Sequence, residues 1–173
     1  MTQKNVKKLT PTVIKKVDKK LNEKETMKVE LDGVEYELDY DKVFRKTKHN
    51  NVLDGVIDFL RYSSESTNKN LADYVSVYTS LLIIKEFTSL AVPDDIEEAF
   101  ELLQVLVDTE VISKILNKLP EDELTSVFKT VENAMNDLTD RINELENEHL
   151  DLENEELDIA VEEPTDEDFE EEE

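Results

Sequence analysis

LADYVSVYTSLLIIKEFTSLAVPDDIEEAFELLQVLVDTEVISKILNKL, residues 71–119, carries the densest apolar blocks of this chain. Leu71, Tyr74, Val75, Tyr78, Leu81, Leu82 and Lys85 fall at helical three-and-four spacing. Ile83, Ile84 and Phe87 widen the apolar arc, which predicts a helix buried on more than one side and ending before Pro93. Asp94, Asp95, Glu97 and Glu98 then fill a first turn, where the positive end of the helix dipole favours acids. Ile96, Ala99, Phe100, Leu103 and Val107 are expected to face the core. A break near Asp108-Thr109 separates a further helix with Val111, Ile112, Ile115, Leu116 and Leu119, and Lys114 and Lys118 lie near its end. The stretch reads as the helical core of one small domain.

Upstream, Asn70 is placed to cap the first of these helices, after a polar loop from Ser63 to Asn68. Asn50-Asn51 reads as the cap of a helix through about Tyr62, with Leu53, Val56, Ile57 and Leu60 inward. Gly55 within it costs about 1 kcal/mol and points to close packing. Asp41 to Lys48 reads as a helical turn carrying Val43 and Phe44. The strongest local signal is Met27 to Tyr40, where Asp32-Gly33 is a two-residue turn between alternating runs. Its register pairs Leu31 with Val34, Val29 with Tyr36 and Met27 with Leu38, and all six are expected on one buried face. On the other face Lys28 opposes Glu37, and Glu30 opposes Glu35.

Residues 1–9 are polar and lysine-rich and read as disordered. Thr10-Pro11 then starts a short helix, with Thr as cap and Pro at the first helical position. Val13, Ile14, Val17 and Leu21 share one face, while Lys15, Lys16, Lys19 and Lys20 point away. Two readings stay open: a helix docked on the body, or a basic assembly arm that grips an acidic partner.

Downstream, Pro120-Glu121-Asp122-Glu123 opens the last helix. Leu124, Phe128, Val131, Met135, Leu138, Ile142 and Leu145 step in a heptad pattern, continuing weakly to His149 and Leu152. Again two readings stay open. The seam either lies along its own domain or serves as a partner-binding surface, for self-association or for a foreign helix. The helix is expected to fray between residues 145 and 158, with Asp158 to Glu173 disordered. The expected organisation is a basic arm with an amphipathic helix over 1–26, a hairpin plus helical domain over 27–145, and an acidic, largely disordered tail over 146–173. The fold class is mainly α.

Charge is distributed as a dipole. The formal net charge is -24, but residues 1–28 carry nine Lys against three acids, and residues 144–173 carry seventeen acids with no Lys or Arg. Such a molecule repels phosphate, which argues against binding nucleic acid. No apolar run approaches the roughly 20 residues that span a bilayer, so no membrane partner is expected. The lysine-rich start lacks a following apolar segment, so no secretory signal is expected. The absence of Cys excludes disulfides and thiolate chemistry. Gly33 and Gly55 cannot build a phosphate-cradling loop, and no Gly-x-Ser-x-Gly elbow occurs. His49 and His149 lack ligands at metal spacing and read as solvated. Neither a cofactor nor an enzymatic activity is expected. Richness in Lys, Asn, Ile and Glu hints at an AT-rich genome, of a low-GC bacterium or its phage.

The segment Val29-Glu30-Leu31-Asp32-Gly33-Val34-Glu35-Tyr36-Glu37-Leu38-Asp39-Tyr40, followed by a compact helical domain and an acidic C-terminus, resembles the tail assembly chaperones of long-tailed, siphovirus-type phages of Gram-positive bacteria. Those proteins often open on a Val-x-hydrophobic-Asp/Asn-Gly-x-x-Tyr-x-Leu hairpin. The resemblance covers residues 27–145 in layout and the hairpin in residues; the lysine-rich head is longer than that family's. It implies a non-enzymatic chaperone, made in the cytoplasm of an infected host and absent from the mature virion. Its implied partners are the tape-measure protein, which such chaperones coat, and the tail-tube protein, which they recruit. It also implies that a frameshift can make a longer product.

The charge pattern fits that class. An acidic tail keeps a sticky complex soluble, and the heptad seam or a groove between core helices suits an amphipathic client helix. The basic head meeting the acidic surface of a neighbouring copy would give a head-to-tail homo-oligomer. The rival class is an acidic nucleic-acid mimic that inhibits a host defence or DNA-binding enzyme. A third is an acidic subunit that displaces nucleic acid from a polymerase.

Overall fold

A computed structural model describes residues 7–66 and 71–160, the last fifteen of these as backbone only. The fold is mainly helical with an N-terminal antiparallel hairpin. Helix α1 (Pro11–Leu21) leads to strands β1 (Lys24–Leu31) and β2 (Val34–Asp41). Helix α2 (Lys46–Glu65), a short 3-10 turn (Leu71–Tyr74), α3 (Val75–Phe87), α4 (Ile96–Asp108), α5 (Val111–Leu116) and α6 (Glu121–Ala160) follow. Two compact units result, residues 1–131 and residues 132–173.

Helix α3 is the centre of the first unit. Tyr78, Thr79, Leu81, Leu82, Ile83, Ile84 and Phe87 are all buried, so more than one side of the helix is covered, as its wide apolar arc predicts. Its apolar partner on α2 is the stripe Val52, Val56 and Phe59. That stripe includes Val56 but is otherwise turned from the expected face, leaving Leu53, Ile57 and Leu60 half-buried. The helix also starts earlier than expected: α2 begins at Lys46, four residues before Asn50. Tertiary contacts set that start. The Phe44 amide donates to Glu123 Oε2 at 3.2 Å, and Lys46 Nζ donates to Ser126 Oγ at 2.7 Å. Phe44 lies in irregular chain before α2, not in a helical turn, and its ring stacks on Phe87 with centroids 3.8 Å apart.

Gly55 has the role its position suggests. A methyl group there would lie 2.9 Å from Leu82 Cδ1, so any side chain at this position makes Leu82 shift. Helix α4 starts as its acids require: Asp95 caps it, accepting from the amides of Glu97 and Glu98 at 3.0 and 3.1 Å. Ala99, Leu103 and Leu106 are its buried residues, while Val107, expected inward, is exposed together with Val105. The break falls at Thr109, and Glu110 adopts a left-handed conformation with φ 55°.

The hairpin register is Leu31 with Val34, Val29 with Tyr36 and Met27 with Leu38. Lys28 pairs diagonally with Glu35 at 3.1 Å rather than with Glu37 opposite, which offsets the repulsion between Glu30 and Glu35. The six apolar residues are not equally covered. Met27 and Val29 are buried, Leu31 and Leu38 half-buried, and Val34 and Tyr36 exposed. The expectation of one buried face holds for β1 and fails near the turn on β2.

Helix α6 is continuous to Ala160, where fraying was expected from residue 145. Residues 161–173 of the expected disordered tail, residues 1–6 of the head, the Asn70 cap and the side chains of His149 and Leu152 lie outside the described residues.

Candidate functional site

The surfaces available to a partner are helical and apolar. Helix α1 is capped as its sequence dictates, with Thr10 Oγ1 accepting from the Val13 amide at 3.4 Å and Pro11 at the first helical position. Its apolar face is covered only at Leu21, which is half-buried: Val13, Ile14 and Val17 are 43, 55 and 51 % exposed. Of the two readings left open, a docked helix is not what the fold presents. Lys15, Lys16, Lys19 and Lys20 are all exposed, so α1 displays a free apolar stripe bordered by lysines. One residue ties its end to the body. Arg45 Nη2 donates to the Asp18 carboxylate at 2.7 Å and to the Asp18 carbonyl at 3.2 Å, and Arg45 Nε reaches the Leu21 carbonyl. A guanidinium at the last turn of a helix satisfies carbonyls that have no partner within the helix.

The heptad seam of α6 is divided. Leu124 is half-buried and Val131 buried, so part of the seam belongs to the core. Val127, off the seam, is fully buried. Leu124, Val127 and Val131 make an inward stripe stepping three and four. Phe128, Leu138, Ile142 and Leu145 are exposed, and Met135 is half-buried. Two apolar lines thus share Leu124 and Val131. The heptad pattern finds the outer line, and Val127 was the one missed residue that the three-four rule could have located.

His49, expected to be solvated, is buried at 1 % exposure. Its Nδ1 lies 3.3 Å from Thr130 Oγ1, and its ring meets Phe87 edge-on at 5.9 Å. Burial, and secondarily the Lys46 charge, push its pKa below the usual imidazole value. Among the described residues its Nε2 has no hydrogen-bond partner. The first turn of α2, which carries it, packs over Phe87, and the lysine-rich sequence around it hides this.

Beside β2 lies an apolar groove of about 390 Å³, lined by Val29, Tyr36, Leu38, Leu90, Leu106 and Ile115. A more polar cleft of about 530 Å³ runs along α2, with Asp54, Asp58, Arg61 and Glu65 on one side and Lys85, Glu86 and Asp94 on the other. Among the described residues, no three His, Asp or Glu side chains converge in a way that could hold a metal ion. No helix is long and apolar enough to cross a membrane among those residues.

The comparisons with curated proteins and with solved structures found no match. A family model described as YomO matches residues 12–167. That span runs from α1 through the helical body into the acidic segment. With nine-tenths of its length matched, the chain belongs to the YomO family, a family of phage-associated proteins.

Proposed function

We propose that the protein is a non-enzymatic assembly chaperone that holds an amphipathic helical client during phage tail assembly, with the tape-measure protein as client and the tail-tube protein recruited to it. The observation that carries this reading is the outer stripe of α6: Phe128, Leu138, Ile142 and Leu145 stay exposed on a helix whose downstream part is strongly acidic. A stripe at heptad spacing is the natural complement of another amphipathic helix, and the negative charge keeps the loaded complex soluble. The free apolar face of α1, bordered by lysines, supports self-association of copies along a client. The protein then works in the cytoplasm of the infected host and leaves before the virion is complete.

Co-expression with the tape-measure protein of the same phage tests this. The pair should co-purify, and a variant carrying Leu138→Asp and Ile142→Asp should lose the client while keeping its own helical signal. Equal recovery of the client by that variant would exclude the seam.

One observation favours the nucleic-acid-mimic reading as a second choice. Because α6 continues to Ala160, the eight acids from Glu144 to Asp158 sit on a helix and not in free chain. At 1.5 Å rise they span roughly 21 Å, about one charge per 2.6 Å, sparser than the roughly 1.7 Å of duplex DNA. The mimic reading requires competition with duplex DNA for a DNA-binding enzyme, lost on truncation at residue 150. The chaperone reading requires client binding to survive that truncation.

A further inference from the structure

The two edges of the hairpin are treated differently. On the outer edge of β1, Lys114 Nζ donates to the Glu30 carbonyl at 3.1 Å and Lys118 Nζ to the Lys28 carbonyl at 2.7 Å. Two lysines one turn apart on and just beyond α5 thus occupy the backbone groups that another strand would need, a common way to block an edge. On the outer edge of β2 the pairing found among the described residues is confined to the end around Asp39 and Tyr40. The Ser89 amide donates to the Asp39 carbonyl at 2.8 Å, and the Asp39 amide donates to Ser89 Oγ at 3.0 Å. Thr88 forms an antiparallel bridge with Tyr40. Outward backbone groups recur every second residue along a strand, so those of Glu37 and Glu35 continue the same edge. Among the described residues nothing pairs with them.

The chain itself does not continue the pairing. Antiparallel to Asp39 and Ser89, residue 91 would face Glu37 and Pro93 would face Glu35. Pro93 has no amide to donate. Lys85 Nζ also holds the Pro93 carbonyl at 3.1 Å and the Asp94 carboxylate at 2.7 Å, which draws the segment toward α3. The apolar groove lies directly beside this open stretch, with Tyr36 and Leu38 on one wall and Leu90 and Leu106 on the other.

We infer that the open half of the β2 edge is a strand-addition site for an extended peptide of alternating apolar and basic residues. Residues placed opposite Glu35 and Glu37 share the face of those carboxylates, so their side chains should be Lys or Arg. The alternate residues enter the groove, whose size suits two or three aliphatic side chains. Glu37 has no ion-pair partner among the described residues, which leaves its charge for an incoming cation. A second copy of this chain fits poorly, because an antiparallel β2–β2 contact sets Glu35 and Glu37 against the same acids. This site is separate from α6, so it stands or falls independently of the helical-client reading.

The probe is a fluorescent Val-Lys-Val-Lys-Val-Lys peptide, added to the full chain and followed by anisotropy and residue-resolved hydrogen exchange. It should bind saturably and slow exchange at the Glu35 and Glu37 amides. A peptide with Glu in place of Lys should not bind. Glu37→Lys, at an exposed position, should weaken the probe roughly threefold, and N-methylation of the probe's ladder amides should weaken it at least fivefold. No saturable binding, protection at other amides, or equal binding of the acidic peptide would overturn the site. Protection of the same amides on concentrating the protein alone would assign the edge to a second copy and overturn the stated occupant.

Discussion

The guanidinium of Arg45 donates to both the side chain and the main chain of Asp18, at 2.7 and 3.2 Å. Since α1 fully buries none of its residues and half-buries only Leu21, this pair and the Leu21 carbonyl contact are the main polar tie on its C-terminal turn. An exposed ion pair contributes about 0–1 kcal/mol. Arg45→Ala should therefore leave the melting temperature within about 3 °C of the parent. It should nonetheless speed amide exchange across residues 14–21. Unchanged exchange there would show that α1 is held by something else.

Gly55 and Leu82 predict a size limit at the α2–α3 crossing. Gly55→Ala gains about 1 kcal/mol of helix propensity, offset by the shift forced on Leu82 Cδ1, 2.9 Å from the new methyl. It should be close to neutral. Gly55→Val adds bulk that rotation of Leu82 cannot absorb and should cost about 1–3 kcal/mol in urea denaturation. A neutral valine variant would mean that α2 and α3 separate easily.

These two relationships differ in how far sequence could foresee them. A glycine inside an apolar helix already signals a close approach, and the Asp32-Gly33 turn fixes the whole hairpin register because side chains alternate strictly. Both are local rules. Arg45, Phe44 and His49 obey no local rule: each is placed by partners 27 to 81 residues away in sequence, namely Asp18, Phe87 and Thr130. The start of α2 was misplaced for the same reason, since Glu123 and Ser126 fix it from α6. The candidate surfaces were half legible. Periodicity located the stripes of α1 and α6 but could not tell which line of α6 the body covers. The open edge of β2 had no signature, because it depends on where Ser89 and Lys114 arrive in space.

His49 makes stability depend on pH in a stated direction. Its folded pKa is lowered from 6.5, chiefly by burial and then by Lys46, with the Phe44 backbone and then Glu123 opposing. Below the unfolded value the unfolded chain takes up a proton that the native imidazole refuses. Stability is thus complete above about 6.5 and falls as the pH drops toward the folded pKa, where the loss levels off. His49→Gln keeps a neutral polar group near Thr130 and should flatten the denaturation midpoint between pH 7 and 5. A parallel slope in the variant would assign the acid sensitivity to other groups.

Lys48 should be the most costly surface lysine to remove. Its Nζ meets the Asp41 carboxylate at 2.7 Å, donates to the Glu86 carbonyl and lies 5.5 Å from the Phe87 ring centroid. The Asp41 side chain is only 8 % exposed, and Lys24, at 3.9 Å, is a distant substitute. Lys48→Met strands a buried carboxylate and should cost about 2–4 kcal/mol. Lys48→Met with Asp41→Asn should recover at least about 1 kcal/mol of that, and additivity of the two changes would deny the coupling.

The two apolar lines of α6 can be separated by stability alone. Val127 is fully buried, so Val127→Ala removes two buried carbons, at about 0.8 kcal/mol each, and leaves a small void. The expected loss is about 2 kcal/mol. Ile142 is 55 % exposed, and Ile142→Ala should change the free energy of unfolding by no more than about 0.5 kcal/mol. A protein that used the outer stripe only for its own folding would show comparable losses at both positions. A large loss at Val127 with none at Ile142 would mean that the outer stripe contributes nothing to the isolated chain, and its apolar character would then need a partner to explain it.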